Sequence, residues 1–483
     1  MIFRKALLNS VFLLSGRLIF RFTTAATIII AARFLGVELY GQLETGMAFA
    51  NIFLVFFDLG MGTLMVREGT KNTQAIREFF GNTLFVELVM SVVLYGAMIF
   101  TAFQLNYDPN ILKIIITIGG ALLIFEYRRA FRGIYSILLK MNVSAGFETF
   151  TGIILLVLVF IIALAIPQKQ GLNAIAFAYL ITYTLSNIIF FSLCLKKIRP
   201  TLSLKKIPAM VKEAYPFALS AAFVTIYFQI DQVMISLIEG SREVALYSAA
   251  AKLVTFLLFI PRMTYEAILP TLYKLYHEKS EKLKRAHDIM TRYFTALGLP
   301  LGIGMILLPE EIIHLLYGSG FSGAEVAMQL FGVFTVIRFM GSGASNILTS
   351  VDKQMQKVWV QVGTLVLNIV FNYILIHRYG FVGAAIATLT VETIMTIFFI
   401  RMARKATNST FFAHWKSHLR SLLAGSVLAA AIILTKEHTN VIILVIGGGI
   451  LYGVILFISG FFTPHDRKLF QQLVPKKSSP TTT

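Results

Sequence analysis

Cysteine is almost missing: 483 residues contain one, Cys194. An intrachain disulfide and a cysteine-rich metal site are therefore excluded. Cys194 ends an apolar run, and inert packing is its expected part. Charge is scarce too, at 14% of residues, against about a quarter in a soluble domain. No Gly-Lys-Ser/Thr phosphate loop and no HExxH occurs, the eight His are scattered, and no outer loop could hold a catalytic domain. These gaps argue against an enzyme and exclude a built-in ATPase. Energy for any transport must come from ion gradients, membrane potential or cargo consumption. Period-two alternation of polar and apolar residues is missing as well, which excludes a membrane barrel.

What remains is apolar: 57% of residues are hydrophobic, 42 of them Phe. Runs of about twenty apolar residues suit helices that cross a bilayer. The expected class is an all-α polytopic membrane protein with fourteen spans, near 11–34, 41–66, 82–104, 109–131, 143–166, 172–195, 213–238, 243–270, 289–309, 322–347, 356–376, 381–401, 417–435 and 440–462. The first segment has the basic head of a signal peptide. Arg17 interrupts its apolar run and no small-x-small site follows, so a retained helix is expected.

The net charge of +19 could suggest nucleic acid. Its distribution argues otherwise. With both termini in the cytoplasm, 32 of the 43 Lys and Arg fall on inner loops and tails and six on outer loops. That asymmetry is the positive-inside signal of an inner (plasma) membrane protein. Two basic inner stretches, 196–212 and 401–416, then divide the chain into parts 1–200, 201–408, 409–463 and a basic tail 464–483. The first two parts read as six-helix repeats. Gly36-x-x-x-Tyr40-Gly41 matches Gly240 followed by Tyr247-Ser248, and the phrase at 163–180 resembles that at 373–389. Duplicated halves with a site between them are a common transporter plan.

Five cations remain inside spans: Arg17, Arg21, Lys252, Arg262 and Arg338. Each would cost at least about 2.5–3.5 kcal/mol facing lipid at the bilayer centre. They are expected to face a shared interior, which suits an anionic cargo.

The residues 367–376 (LNIVFNYILI) and 379–388 (YGFVGAAIAT) resemble the helix 11–12 signature of polysaccharide-type flippases, in the multidrug/oligosaccharidyl-lipid/polysaccharide exporter superfamily. Asp231-Gln232-Val233-Met234-Ile235, Tyr247 to Leu253, Pro261 and Pro270 resemble its helix 7–8 pattern; Phe34 to Gly41 with Asp58-Leu59-Gly60 resemble helices 1–2. Leu246 departs from the family's usual Gly before the Tyr. The resemblance implies two six-helix lobes in a V plus a C-terminal helix pair. It also implies alternating access, with a polyprenyl-diphosphate-linked oligosaccharide carried from the inner to the outer leaflet for cell-surface polysaccharide biosynthesis. Membrane lipids, a polysaccharide polymerase and glycosyltransferases would be the partners, and nucleic acid would not.

On that reading, Arg17 and Arg21, one helical turn apart, hold the diphosphate by charge-assisted bonds, with snorkelling to headgroups as the plainer role. Lys252 and Arg262 border one cavity, Arg262 having Glu266 four residues on as an internal partner. Asp58, Asp231, Glu266 and Glu392 act as counter-charges, as carriers of a coupling H+ or Na+, or as structural ion pairs. Glu44, Glu87, Glu126 and Glu148 are expected to reach water at helix ends. Asn368 and Asn372 are expected to bond between helices, and Gly341-Ser342-Gly343 to mark a close crossing or a hinge. No cofactor is expected. The alternatives are a cation-coupled multidrug exporter, whose cavity would be acidic and aromatic, and a membrane-embedded polymerase or ligase, which would need an elaborated outer loop.

Overall fold

In a computed structural model the described residues are 2–71, 75–278, 281–351, 353–409 and 415–462. The side chains of 2–15, 71, 215–218, 220, 221, 266, 267 and 270 fall outside that description, and with them Glu266; so does the tail 464–483. The described chain is helical throughout, with no strand. Its helices are α1 Ile2–Leu54, α2 Met61–Lys71, α3 Ile76–Gln104, α4 Pro109–Glu126, α5 Arg128–Ile137, α6 Met141–Ala165, α7 Gln168–Leu195 and α8 Ile207–Ile238. There follow α9 Ser241–Leu257, α10 Phe259–His277, α11 Lys282–Leu307, α12 Pro309–Tyr317, α13 Glu325–Ser350, α14 Gln354–Thr407, α15 Trp415–Thr435 and α16 Val441–Ile458.

Two helices are too long for one crossing. At 53 and 54 residues, α1 and α14 would each run about 80 Å if straight, against about 30 Å of hydrocarbon. Each is broken at one glycine, Gly36 (φ 72, ψ 175) and Gly380 (φ 58, ψ −148). Only glycine adopts that backbone region readily. Eleven helical segments are long and apolar enough to span, with Ala222–Ile238 a shorter apolar one. Since α1 and α14 each hold two of the sequence spans, this is compatible with fourteen crossings. The expected span 41–66 is corrected. Its helix stops at Leu54, turns through Leu59 and Gly60 at positive φ, and restarts as α2.

The helices group into two compact units, described separately. Unit 1 draws on 1–256, 313–327 and 358–391. In it α1 lies close along α6: a Cβ on Gly16 would meet Ala145 at 2.6 Å, and one on Gly152 would run into Thr23. An aromatic core of Phe80, Phe131, Tyr135, Phe147 and Phe190 encloses Cys194, which is buried packing as expected. The two glycine-turn pairs pack in parallel fashion. Gln168 Nε2 donates to the Leu35 carbonyl at 2.9 Å beside Gly36, while Gly380 lies against Glu239, next to Gly240. Segment 313–327 is fastened to α1, where Arg33 donates to the main-chain carbonyls of His314, Leu315 and Leu316.

Of the described residues, unit 2 draws on 257–312, 328–357 and 392–462. Here α11 crosses α13 with Gly302 against Gly332 and Gly298 against Phe339. The α13 glycines form the expected close crossing: a Cβ on Gly341 would sit 2.6 Å from Thr396 Oγ1, and one on Gly343 2.8 Å from Thr291 Oγ1. The pair α15–α16 joins through Ala424, Leu428, Ile432 and Tyr452, whose hydroxyl donates to the Ala296 carbonyl at 2.8 Å.

Candidate functional site

Charge inside an apolar chain is costly unless it is paired, so each buried ionisable group shows what its surroundings provide. In unit 1, Lys252 on α9 places Nζ 2.8 Å from Glu44 Oε2 on α1, an ion pair between residues far apart in the chain. Glu44 itself is buried, beside Tyr40. Glu44, Glu87 and Glu148 were expected to reach water. All three are buried, because their helix faces turn inward; Glu126 is mostly covered as well, at 13% side-chain exposure.

Asp231 on α8 is 2% exposed and surrounded by uncharged donors. Asn372 Nδ2 and Thr388 Oγ1, both on α14, donate to its two oxygens at 2.6 Å each. The Tyr247 hydroxyl on α9 donates to Oδ2 as well. Asn368 completes the group: its Nδ2 donates to Thr388 Oγ1 at 3.4 Å, and its Oδ1 accepts from Asn372 at 3.2 Å. The expected helix–helix bonding by Asn368 and Asn372 is therefore present, and it converges on a carboxylate. Asp58 has a local task. Its Oδ1 accepts from the Gly62 backbone N–H at 2.7 Å and caps α2, satisfying a donor that a helix start leaves open.

In unit 2, Arg338 on α13 uses Nη1 to reach both oxygens of Glu392 on α14 at 3.0 Å. Glu392 is 1% exposed and also accepts from Thr396 Oγ1 at 3.3 Å. Lys357, counted in the sequence among loop charges, turns inward instead. Its Nζ lies 3.4 Å from the Ser345 carbonyl, 3.3 Å from Thr349 Oγ1 and 6.0 Å from the Phe399 ring centroid. Its place inside the expected span 356–376 was the signal that could have marked it. Arg262 on α10 is exposed, while Arg17 and Arg21 on α1 are half-buried. Arg17 lies within electrostatic range of Arg132 on α5, a neighbour that sequence spacing did not reveal. Among the described residues no cluster of three or more His, Cys, Asp or Glu could hold a metal ion.

The sequence matches the family model described as polysaccharide biosynthesis protein over residues 6–276, and that described as lipid II flippase MurJ over 152–448. The probable flippase AglR of Haloferax volcanii is 24% identical over 260 residues, 51% of this chain; the match spans about half the length of that relative, 53%. The putative O-antigen transporter of Shigella dysenteriae is 23% identical, with 77% of this chain and 93% of that protein covered. Among solved structures, the lipid II flippase MurJ in an inward closed conformation shares the fold with a TM-score of 0.75 at 15% identity, covering 97% of this chain and all of that one. An inward-facing multidrug resistance MATE family transporter gives 0.66 at 14% identity, over 83% and 98% of the two chains. Each family model spans more than half of the sequence, and the folds agree along nearly its whole length. The chain belongs to the polysaccharide biosynthesis protein family, the polysaccharide-flippase group of the multidrug/oligosaccharidyl-lipid/polysaccharide exporter superfamily.

Proposed function

We propose that this protein carries a polyprenyl-diphosphate-linked oligosaccharide from the inner to the outer leaflet by alternating access, in cell-surface polysaccharide biosynthesis. It is read as a transporter rather than an enzyme, in the plasma membrane with both termini cytoplasmic. Its two six-helix lobes are 1–200 and 201–408, followed by the helix pair 409–463. Arg17, Arg21, Lys252, Arg262 and Arg338 are the groups proposed to hold the diphosphate as it crosses.

One observation carries this reading: cations in the spans are kept on buried carboxylates, Lys252 on Glu44 and Arg338 on Glu392. A carboxylate makes it affordable to hold a cation in the membrane between cargoes. A diphosphate can replace it, offering more oxygens to the same donors. A cationic drug would meet repulsion at these positions, which sets the multidrug reading second despite the shared fold. Asp231, enclosed by neutral donors, is proposed to take up the coupling H+ or Na+, while Glu392 serves as a counter-charge.

The test is translocation of a polyprenyl-diphosphate glycan in proteoliposomes. Arg21→Ala and Lys252→Ala are each expected to slow it about tenfold or more, since a charge-assisted bond contributes ~1.5–3 kcal/mol. Wild-type rates in both, or tighter binding of a cationic drug than of the glycan lipid, would remove the proposal.

A further inference from the structure

A second group of guanidinium groups stands where α4 meets α5. Counting loop charges gives Arg128, Arg129 and Arg132 no task beyond topology. The structure has no extended loop there: α4 ends at Glu126, α5 begins at Arg128, and the apolar rod runs on to Ile137. Arg128 lies over the Phe125 ring, its Cζ 3.7 Å from the centroid. Tyr183 stacks on the other face of that ring at 4.0 Å and 13°. This contact holds the Arg128 guanidinium against the ring.

The charges around it are unevenly shared. Glu126 alone serves two arginines, with Oε2 2.6 Å from Arg129 Nε and Oε1 3.4 Å from Arg128 Nη1. Arg132 Nη1 reaches Glu148 Oε1 at 3.2 Å, and Arg17 adds a further positive charge within range of Arg132. Asp58 and Glu87 also lie within electrostatic range, but Asp58 has Oδ1 engaged on Gly62. The three α5 arginine side chains stay 20%, 35% and 36% exposed, so a ligand can reach them.

One carboxylate split between two guanidinium groups is a poorer partner than a phosphate, which presents three oxygens and more charge to the same planar donors. We infer that Arg128, Arg129 and Arg132, with Arg17, form a binding site for the phosphate of a lipid, and that Glu126 is the built-in stand-in such a phosphate displaces. Two lipids carry that chemistry: the diphosphate cargo, for which this is a loading site and the inference rests on the flippase reading, and an anionic phospholipid of the bilayer.

Full-length protein in phosphatidylcholine nanodiscs, titrated with a polyprenyl diphosphate and separately with phosphatidylglycerol, tests this. Arg129→Gln combined with Arg132→Gln should weaken binding by about tenfold or more, and Glu126→Gln should tighten it about threefold or more. The opposite signs matter, because loss of a purely structural contact would weaken binding in both. Glu126→Gln that weakens binding or leaves it unchanged overturns the site. Diphosphate that binds wild type and every variant alike also overturns the site, and leaves the cargo reading standing. A phosphatidylglycerol response that follows Glu126 and Arg129 while no diphosphate binds keeps the site, assigns it to bilayer lipid and overturns the cargo.

Discussion

Asp231 in unit 1 and Glu392 in unit 2 are both buried carboxylates within spans, and they are stabilised in opposite ways. Glu392 meets a guanidinium and is charge-compensated inside the fold. Asp231 meets an amide, a threonine and a tyrosine, donors that orient its oxygens without cancelling its charge. A compensated acid can be permanent. An uncompensated acid in low dielectric is at its most stable with a proton or a small cation on it. The contrast separates a carboxylate paired with another residue's charge from one held by neutral donors.

Arg338→Ala breaks the contrast most severely. It takes the guanidinium away from a buried carboxylate, and the expected loss is about 3–5 kcal/mol, read as a lower melting temperature of the purified protein. Arg338→Met with Glu392→Leu should restore most of that stability. Translocation that stays slow in the stabilised double variant would show that Arg338 also meets cargo; wild-type rates would confine it to structure. Asp231→Asn should act on coupling instead. Its translocation should lose dependence on the Na+ or pH gradient, with a rate about 5–150-fold lower for a coupling energy of 1–3 kcal/mol. A gradient response equal to wild type would return Asp231 to a structural role. The mildest change is Thr388→Val, which removes one of three donors and should cost about 1 kcal/mol while keeping a weakened gradient response.

Much of this was legible in the sequence, and the reason is physical. Hydropathy belongs to one segment at a time, so the spans could be read from runs alone. The turns at Gly36, Gly240 and Gly380 could be read because a positive φ selects glycine. Ion pairs belong to two segments. Nothing local to Lys252 points to Glu44, and nothing near Asp231 points to Asn372 and Thr388 more than a hundred residues on. Position along a span says how deep a residue lies but not which face it occupies, which is why Glu44, Glu87 and Glu148 looked solvent-bound. Arg128, Arg129 and Arg132 show a related limit of local reading: a basic run at a helix end reads as a topology signal whether or not one of its side chains, as Arg128 does, lies over a ring such as Phe125.

The fastening of segment 313–327 has a consequence for how this region tolerates change. Arg33 grips the carbonyls of His314, Leu315 and Leu316, atoms that every amino acid possesses. Identity at those three positions is therefore free to drift as far as this clasp is concerned, provided the helix end keeps its shape. Within the clasp the burden of specificity falls on position 33, so a mutational scan should find Arg33 less tolerant than Leu315 and Leu316, while His314 also bonds Ser322 through its ring.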